Sequence, residues 1–317
     1  MPSQTSTPPT VSAALASSIS LIIHCSSTLH SPRYTTPTTL LPLDLLHDSA
    51  TLARAHVTRL SLSLRPPVTA DAAVKFITEL GSSIVPALVA AVESSNPDEY
   101  GITLASEVRA AVKGLLSALE EYLKDAERGG DRLLNTGVVW SAADRVIALK
   151  KQGITGVVDR VIKGYGELVK DASQELKQWI EADAVEGDEE SDESDAEPSH
   201  EDDTDEQAFW DRPISKTKKN DERLRGSAEL SLKKMRLIVI LFGAARKRRL
   251  GPSAEGGGRL VSDAKRVDKI AFLGKDISEL ADDLGMAYYE GSVEAAVGML
   301  SSLLSKTNGH SVVHMRT

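Results

Sequence analysis

Apolar residues recur at helical spacing along most of the chain. The clearest stripe keeps to one face of a helix and comprises Val108, Val112, Leu115, Leu116, Leu119, Tyr122 and Leu123. Asn96 can cap such a helix, Pro97 suits its first position, and Gly129 follows its last turn. The pattern therefore predicts one long helix that begins after Asn96 and ends before Gly129.

Other windows predict further helices of differing strength. Residues 155–181 carry a second apolar stripe, with Lys and Glu on the opposite face. Residues 270–287 alternate apolar steps of three and four, which is the spacing of a bundle or coiled-coil seam, and a shorter helix begins at Val293. Weaker periodicity predicts helices at residues 11–29, 44–65, 69–94, 131–151 and 222–249.

Two segments leave an alternative open. Leu alternates with polar residues over 59–65 as in a strand, yet the apolar spacing over 45–64 also fits a helix, and no second strand is available to pair with it. We therefore expect a helix there. Gly81 and Pro86 interrupt the helix predicted at 69–94, so we expect a kink or a split into two short helices.

These elements predict an all-α fold of two antiparallel helix bundles. Four helices precede Gly129 and would form a bundle from residues 10–128, while five helices follow and would form a second bundle from residues 131–306. An acidic linker at 183–211 interrupts the second bundle, and we expect it to be disordered because like charges repel and large apolar side chains are few. We also expect disorder at residues 1–9 and a tail at 307–317.

Composition indicates the cellular compartment and disfavours some functions. Aromatic residues make up only 4% of the 317 residues against 41% apolar, which favours aliphatic helix packing over a stacking platform for single-stranded nucleic acid. Cys25 is the only cysteine, so no intrachain disulfide can form and a reducing compartment is the default. The amino terminus lacks a positive start and the first apolar run is broken by polar residues. We therefore predict neither export nor a membrane span.

The net charge is −9, but acidic and basic residues are concentrated in separate segments of the chain. Residues 181–211 contain sixteen Asp or Glu and no Lys or Arg, whereas residues 212–249 contain thirteen bases and three acids. Acidic residues follow Ser194 and Ser199, which makes both serines candidate phosphorylation sites for an acid-directed kinase.

The sequence offers no convincing catalytic, cofactor or metal site. Gly274, Lys275 and Asp276 resemble the end of a phosphate-binding loop, but the first glycine and the Ser or Thr of that motif are missing. His310 and His314 are spaced i, i+4 without a third or fourth ligand nearby. Since no nucleophile, base and oxyanion set is present either, we expect a protein that is not an enzyme, with no cofactor and no small-molecule substrate.

The basic segment at 212–249 contains two groups of cations that are candidates for function. Arg246, Lys247, Arg248 and Arg249 form a block that is either a nuclear import signal or a favourable partner of a helix dipole. Lys233, Lys234 and Arg236 precede an apolar run at 237–242 that is too broad for one buried stripe, so we expect this helix to face more than one neighbour and to form a partner surface. The preceding acids would repel phosphates, so we expect protein partners rather than DNA.

Four runs together resemble a known family. They are Thr136, Gly137, Val138, Val139 and Trp140 with Ala143 and Asp144; residues 166–172 leading into the acidic linker; residues 232–236; and residues 277–284. In this order they resemble the cyclin-D-binding proteins, also described as Id-like helix-loop-helix regulators.

The resemblance implies an all-helical protein of cytoplasm and nucleus that binds D-type cyclins or helix-loop-helix transcription factors and restrains proliferation. The alternative is a vinculin-like or talin-like cytoskeletal or adhesion adaptor, because such rods are also antiparallel bundles of long helices.

Overall fold

The computed structural model describes residues 10–34, 41–65, 67–128, 132–185, 222–250 and 261–313. Within these ranges the chain is helical and contains no strand, so the all-α prediction is confirmed and the ambiguous segment at 59–65 ends a helix. Ser194, Ser199, residues 1–9 and nearly all of the linker predicted at 183–211 lie outside the described residues.

Ten α-helices and two π-helical turns make up the described ranges. In chain order they are α1 (Val11–Thr28), α2 (Pro42–Ser63), α3 (Ala70–Glu79), a π-turn (Leu80–Ile84), α4 (Val85–Glu93), α5 (Pro97–Tyr100), α6 (Ile102–Arg128), α7 (Arg132–Val185), α8 (Glu222–Ala245), a π-turn (Arg246–Leu250), α9 (Val261–Tyr289) and α10 (Val293–Val313). Helix α10 continues into residues 307–313, which the sequence had assigned to a tail.

The chain forms two compact units, with boundaries that differ from the predicted ones. Unit 1 comprises Met1–Val158 and Pro252–Lys269, and unit 2 comprises Asp159–Gly251 and Ile270–Thr317. These units divide the chain within α7, after Val158, whereas the sequence places the division at residues 128–131. The first half of α7 belongs to unit 1 because its apolar face is buried in that core, through Val139, Ala143, Val146, Leu149 and Val157.

The core of unit 1 is aliphatic, as the composition predicts. Helices α1, α2, α3, α4, α6 and the first half of α7 all contribute fully buried Leu, Ile, Val or Ala side chains. Tyr122 is the largest of the fully buried side chains, and its hydroxyl donates a hydrogen bond to the carbonyl of Val57 at 3.3 Å. Full burial of a Leu, Ile or Val side chain stabilises the folded state by about 1.5–3 kcal/mol relative to exposure, before conformational entropy is counted.

The irregularity predicted near Gly81 and Pro86 is the first π-turn, which separates α3 from α4. A π-turn disrupts the regular ladder of helix hydrogen bonds, and here the carbonyl of Ile77 accepts one from the hydroxyl of Ser18 at 3.2 Å. A Cβ atom at residue 81 would lie 2.9 Å from the Ser18 hydroxyl, so glycine permits the close approach of α1.

The long helix α6 does not begin where the sequence predicts. The side chain of Asn96 caps only the single turn of α5, by accepting from the backbone N–H of Asp98 at 3.0 Å. Gly101 then adopts φ +87°, which breaks the helix. Asp268, which is distant in sequence, caps α6 instead: its carboxylate accepts from the backbone N–H of Ile102 at 2.6 Å and of Thr103 at 3.0 Å.

Helix α7 is broken within its length. Gly153 has φ +56° and ψ −168°, and this non-helical residue separates two helical stretches. The sequence predicts two helices, at 131–151 and 155–181, and the break between them is confirmed.

Unit 2 is built from the second half of α7, α8, the later part of α9, and α10. Helix α8 contributes a buried heptad seam to its core, with steps of four and three between Leu224, Ala228, Ser231, Met235, Ile238 and Phe242. The hydroxyl of Tyr288, from α9, is hydrogen-bonded to the Ser227 and Ser231 hydroxyls at 2.9 and 2.7 Å.

In the part of the chain that the structure describes, two helical stretches are long and apolar enough to cross a membrane by length and composition alone: Val11–Thr28 and Ala70–Glu93. Both carry buried faces in the core of unit 1, and the core helix of a soluble protein meets the same criterion.

Candidate protein-interaction surface

Helix α8 carries a second heptad seam beside the buried one. Leu230, Lys234, Leu237 and Leu241 follow the i, i+4, i+7, i+11 pattern, each one residue before a member of the buried seam. We call these four residues the outer seam. Ile240 and Lys233 flank it, because they lie three residues from Leu237 and Leu230 respectively.

The outer seam is exposed among the residues that the structure describes. The exposed fraction is 48% for Leu230, 58% for Leu237 and 44% for Leu241, and it reaches 67% for the flanking Ile240. Of the apolar run at 237–242, Ile238 and Phe242 are buried, whereas Leu237, Ile240 and Leu241 are exposed. Large apolar side chains grouped in this way on a surface mark an interaction site.

The predicted partner residues lie on or beside this seam. Lys234 is half-buried within the seam, Lys233 is exposed on its flank, and Arg236 is exposed one residue before Leu237. The acid Glu229 is held at 3.7 Å by Arg225 in an i, i+4 ion pair. The seam is thus apolar along its length and positively charged at its centre.

The basic block ends α8 in the second π-turn, and its four residues have different roles. Arg246 forms a two-pronged ion pair with Asp159, with Nε to Oδ1 at 2.8 Å and Nη2 to Oδ2 at 2.9 Å. These hydrogen bonds raise the pKa of the Arg246 guanidinium. Lys247, Arg248 and Arg249 are exposed. The structure therefore leaves three of the four block residues on the surface and uses the first to attach the turn to α7.

The buried seam of α8 packs against α7 and α9. Gly166 of α7 accepts close packing by Phe242, whose ring carbon would lie 3.5 Å from a Cβ added at that glycine. At the other end the buried Ser231 is bonded to Tyr288, whose ring lies 6.1 Å from that of Trp179. A helix fixed by both packing and hydrogen bonds can present a surface without reordering on binding.

The first family-like run, with Thr136, Gly137, Trp140 and Asp144, lies in unit 1, and two of these residues join helices. Trp140 donates from Nε1 to the Thr58 hydroxyl at 3.1 Å, and the Arg54 guanidinium lies 5.8 Å from the centre of its ring. Arg54 also pairs with Asp144 at 2.9 Å. Thr136 is buried, and Gly137 is exposed with open space where a Cβ would be. Trp140 and Asp144 therefore attach α7 to α2.

Candidate sites for other chemistry do not assemble among the described residues. Gly274 packs so closely on Ile162 that a side chain there would collide, which explains the glycine of the phosphate-loop mimic by packing alone. Burial raises the pKa of the Cys25 thiol, which disfavours the reactive thiolate. No group of three or more His, Cys, Asp or Glu among the described residues could hold a metal ion.

Sequence reasoning missed the outer seam as a unit and the residues that anchor the landmarks. A signal for the seam is present: the heptad repeat of the buried residues reappears shifted by one position, with Leu at three of its four members. Arg54 and Thr58 have no such signal, because they meet Trp140 and Asp144 only through the fold.

Within the described residues, the fold and this surface define an all-α protein of two helical units with an exposed, positively charged helix face. Residues 45–182 match the model of a protein family described as "Grap2 and cyclin-D-interacting, N-terminal". The match covers rather less than half of the 317 residues, includes Trp140 and Asp144, and ends before α8. It supports a relationship to a cyclin-D-interacting family, and the family's name points to protein interaction.

A relative also aligns over much of the chain. An uncharacterized protein of Schizosaccharomyces pombe is 27% identical in an alignment of 222 residues that covers 66% of this chain and 62% of the relative. The alignment thus spans somewhat less than two thirds of the relative's length.

Proposed function

We propose that this chain is a non-enzymatic regulatory protein that binds cyclin-like or helix-loop-helix partners, and so restrains cell-cycle progression or transcription in cytoplasm and nucleus. The match of residues 45–182 supports a cyclin-D-interacting role at the level of the family. The observation that locates the proposed binding site is the exposed outer seam of α8, which a helix of a partner could pack against.

The seam has the chemistry of an interface centre. Each of its three leucines would bury further area against a partner, and full burial of such a side chain contributes about 1.5–3 kcal/mol. A stable interface requires about 800 Å² per partner, so the seam would be the central cluster of a larger contact. The surrounding cations would form its polar margin.

The cations beside the seam act on the rate of association. Lys233, Lys234 and Arg236 give the solvent-facing part of α8 a positive field, which speeds encounter with a negatively charged partner and is screened by salt. This surface belongs to unit 2, so we expect the two parts of unit 2 to contain the partner-binding segment.

The cytoskeletal adaptor is the other candidate, and the family match does not favour it. It predicts pelleting of the full chain with filamentous actin or with vesicles. The regulatory proposal predicts that the chain remains in the supernatant in both assays.

The proposal is tested by titrating the purified full chain with a D-type cyclin and, separately, with a helix-loop-helix transcription factor. We expect saturable binding of at least one of them. Reversing the charge of Lys233, Lys234 and Arg236 to Glu should slow association several-fold at low salt and much less at high salt. Reversal of Lys163 and Lys170, exposed cations on α7 of the same unit, is the matched control. If neither protein binds, the proposed function is wrong.

A further inference from the structure

We propose that the outer seam of α8 takes one acidic amphipathic helix of a partner protein, packed as in a coiled coil, with a carboxylate opposite Lys234. This inference rests on the proposed function for the existence of a protein partner. It adds the secondary structure, the charge and the pairing position of the segment that the partner must supply.

The spacing of the seam selects a helix as its ligand. Leu230 and Leu241 are eleven positions apart, which is roughly 16 Å along the helix axis or three turns. Apolar residues that alternate steps of four and three keep in line with a second helix that crosses at a shallow angle. An extended strand would instead read side chains at a period of two, which this face does not offer.

Lys234 determines the charge of that helix. It occupies a seam position between Leu230 and Leu237 and is already half-buried. A helix that covered the leucines would take the ammonium group further out of water, which costs several kcal/mol unless a carboxylate pairs with it. A single polar residue at a seam position is also a known means of fixing the partner and its alignment. The ligand is therefore acidic at one core position.

The margins of the seam have the same sign. Lys233 is exposed on one flank, and Lys247, Arg248 and Arg249 are exposed where α8 ends. Acidic residues at the flanking positions of the partner helix would meet these cations as charges do across a coiled coil. A basic or neutral amphipathic helix would leave Lys234 covered and unpaired.

The same arrangement disfavours two other occupants. A second copy of this chain would bring one positively charged outer seam against another, and like charges across an interface cost several kcal/mol. An anionic membrane would receive Lys234 in the middle of the apolar face rather than at its edge, and membrane-bound helices carry their cations on the polar face.

The test uses the full chain and a labelled synthetic peptide of four heptads, with Leu at the core positions, Glu at the flanking positions and one Glu at a core position. Fluorescence anisotropy should report saturable binding. Leu237→Asp should abolish it, and Lys234→Glu should weaken it by at least about tenfold. A second peptide with Lys at the single core Glu should show the reverse preference and bind the Lys234→Glu chain better than the original. Circular dichroism of each variant checks that the helices are intact.

Leu168→Asp is the matched control, because Leu168 is 57% exposed on α7 in the same unit. It should leave peptide binding unchanged. Equal loss with this variant would overturn the assignment of the site, and so would binding that is insensitive to Lys234. Failure of the full chain to bind the acidic peptide overturns the proposal, whether or not another segment of the chain covers the seam.

Two measurements examine the other occupants. Concentration-dependent dimerisation that Leu237→Asp removes would assign the seam to a second copy, and pelleting with phosphatidylserine vesicles that the same variant removes would assign it to a membrane. Either result overturns the proposal. If the acidic peptide binds but neither a D-type cyclin nor a helix-loop-helix protein does, the seam assignment stands and the proposed function fails. If a cyclin binds wild type and Leu237→Asp equally, the seam assignment fails alone.

Discussion

Replacing Asp268 by Ala should destabilise unit 1, although this residue lies in α9 and far from α6 in sequence. Its side chain is 5% exposed and accepts two backbone hydrogen bonds at the start of α6, at 2.6 and 3.0 Å. The substitution leaves the N–H groups of Ile102 and Thr103 without this acceptor. It also removes a negative charge from the positive end of a helix of 27 residues.

The magnitude follows from these contacts. A hydrogen bond to a charged group contributes about 1.5–3 kcal/mol, and an N-cap side chain about 0.5–2 kcal/mol. Two effects reduce the total: water can reach the exposed Ile102, and burying the carboxylate has a cost of its own. We therefore expect a loss of about 2 kcal/mol for Asp268→Ala. Asp268→Asn keeps one acceptor without the charge and should lose about half as much.

The assay is thermal and urea denaturation followed by circular dichroism at the helix band. A loss of about 2 kcal/mol lowers the melting temperature of a unit of this size by about 4–8 °C. Asp282→Ala, at an exposed position on the same helix, is the control and should change stability by no more than about 0.5 kcal/mol. If Asp268→Ala behaves like this control, the carboxylate does not cap α6 in solution and our account of the helix start is wrong.

Three further predictions concern single sites. Burial lowers the pKa of the His56 imidazole, against an opposing effect of Glu79. Since unfolded His56 then binds its proton more tightly, the free energy of unfolding should fall as pH drops through about 6.5, and His56→Leu should reduce that fall in urea titrations at pH 5 and 7.5. Tyr288→Phe should destabilise unit 2 by about 1–2 kcal/mol through lost hydrogen bonds, measured by urea denaturation. Replacing Lys247, Arg248 and Arg249 by Ala should shift a fluorescent fusion toward the cytoplasm without unfolding it, because the ion pair of Arg246 remains.

Each of these has a nearby control. His47 lies on the same helix as His56 and is less buried, so His47→Leu should leave the acid sensitivity in place; equal effects of both variants would exclude His56 as its source. Tyr289→Phe alters the neighbouring, exposed tyrosine, and an equal loss there would contradict a role for the Tyr288 hydroxyl. If the distribution of the fusion is unchanged, the basic residues are not an import signal, and their interaction with the helix dipole is the remaining explanation.

Helix periodicity was sufficient to predict elements whose conformation depends on residues close in sequence. The stripe through Leu115 and Leu119 predicted α6, and Gly153 separates two helices that the sequence also separates. The start of α6 was predicted wrongly for a physical reason: Asn96 carries a true capping signal, but it caps only α5, while the side chain that caps α6 is supplied by a residue that only the tertiary fold brings near.

The division into units also depends on contacts that only the fold supplies. Gly129 and Gly130 mark the end of a helix, and a helix end can be read locally, but the unit to which the next helix belongs depends on which core buries its apolar face. The interaction surface was partly predictable. The width of the run at 237–242 indicated more than one facing surface, whereas the decision between a second neighbour in the chain and an open face needed the packed structure.

The position of Asp268 in the chain also sets an order of events during translation. At roughly 5–20 residues per second, the ribosome polymerises this residue roughly 8–33 s after Ile102. The first backbone N–H groups of a nascent α6 therefore lack the Asp268 acceptor until all of α8 has been made. Unit 1 becomes complete only when the first part of α9 has left the exit tunnel. Ribosomes that stall between codons 160 and 260 would therefore hold a unit 1 whose core residues are all made but whose α6 lacks its cap.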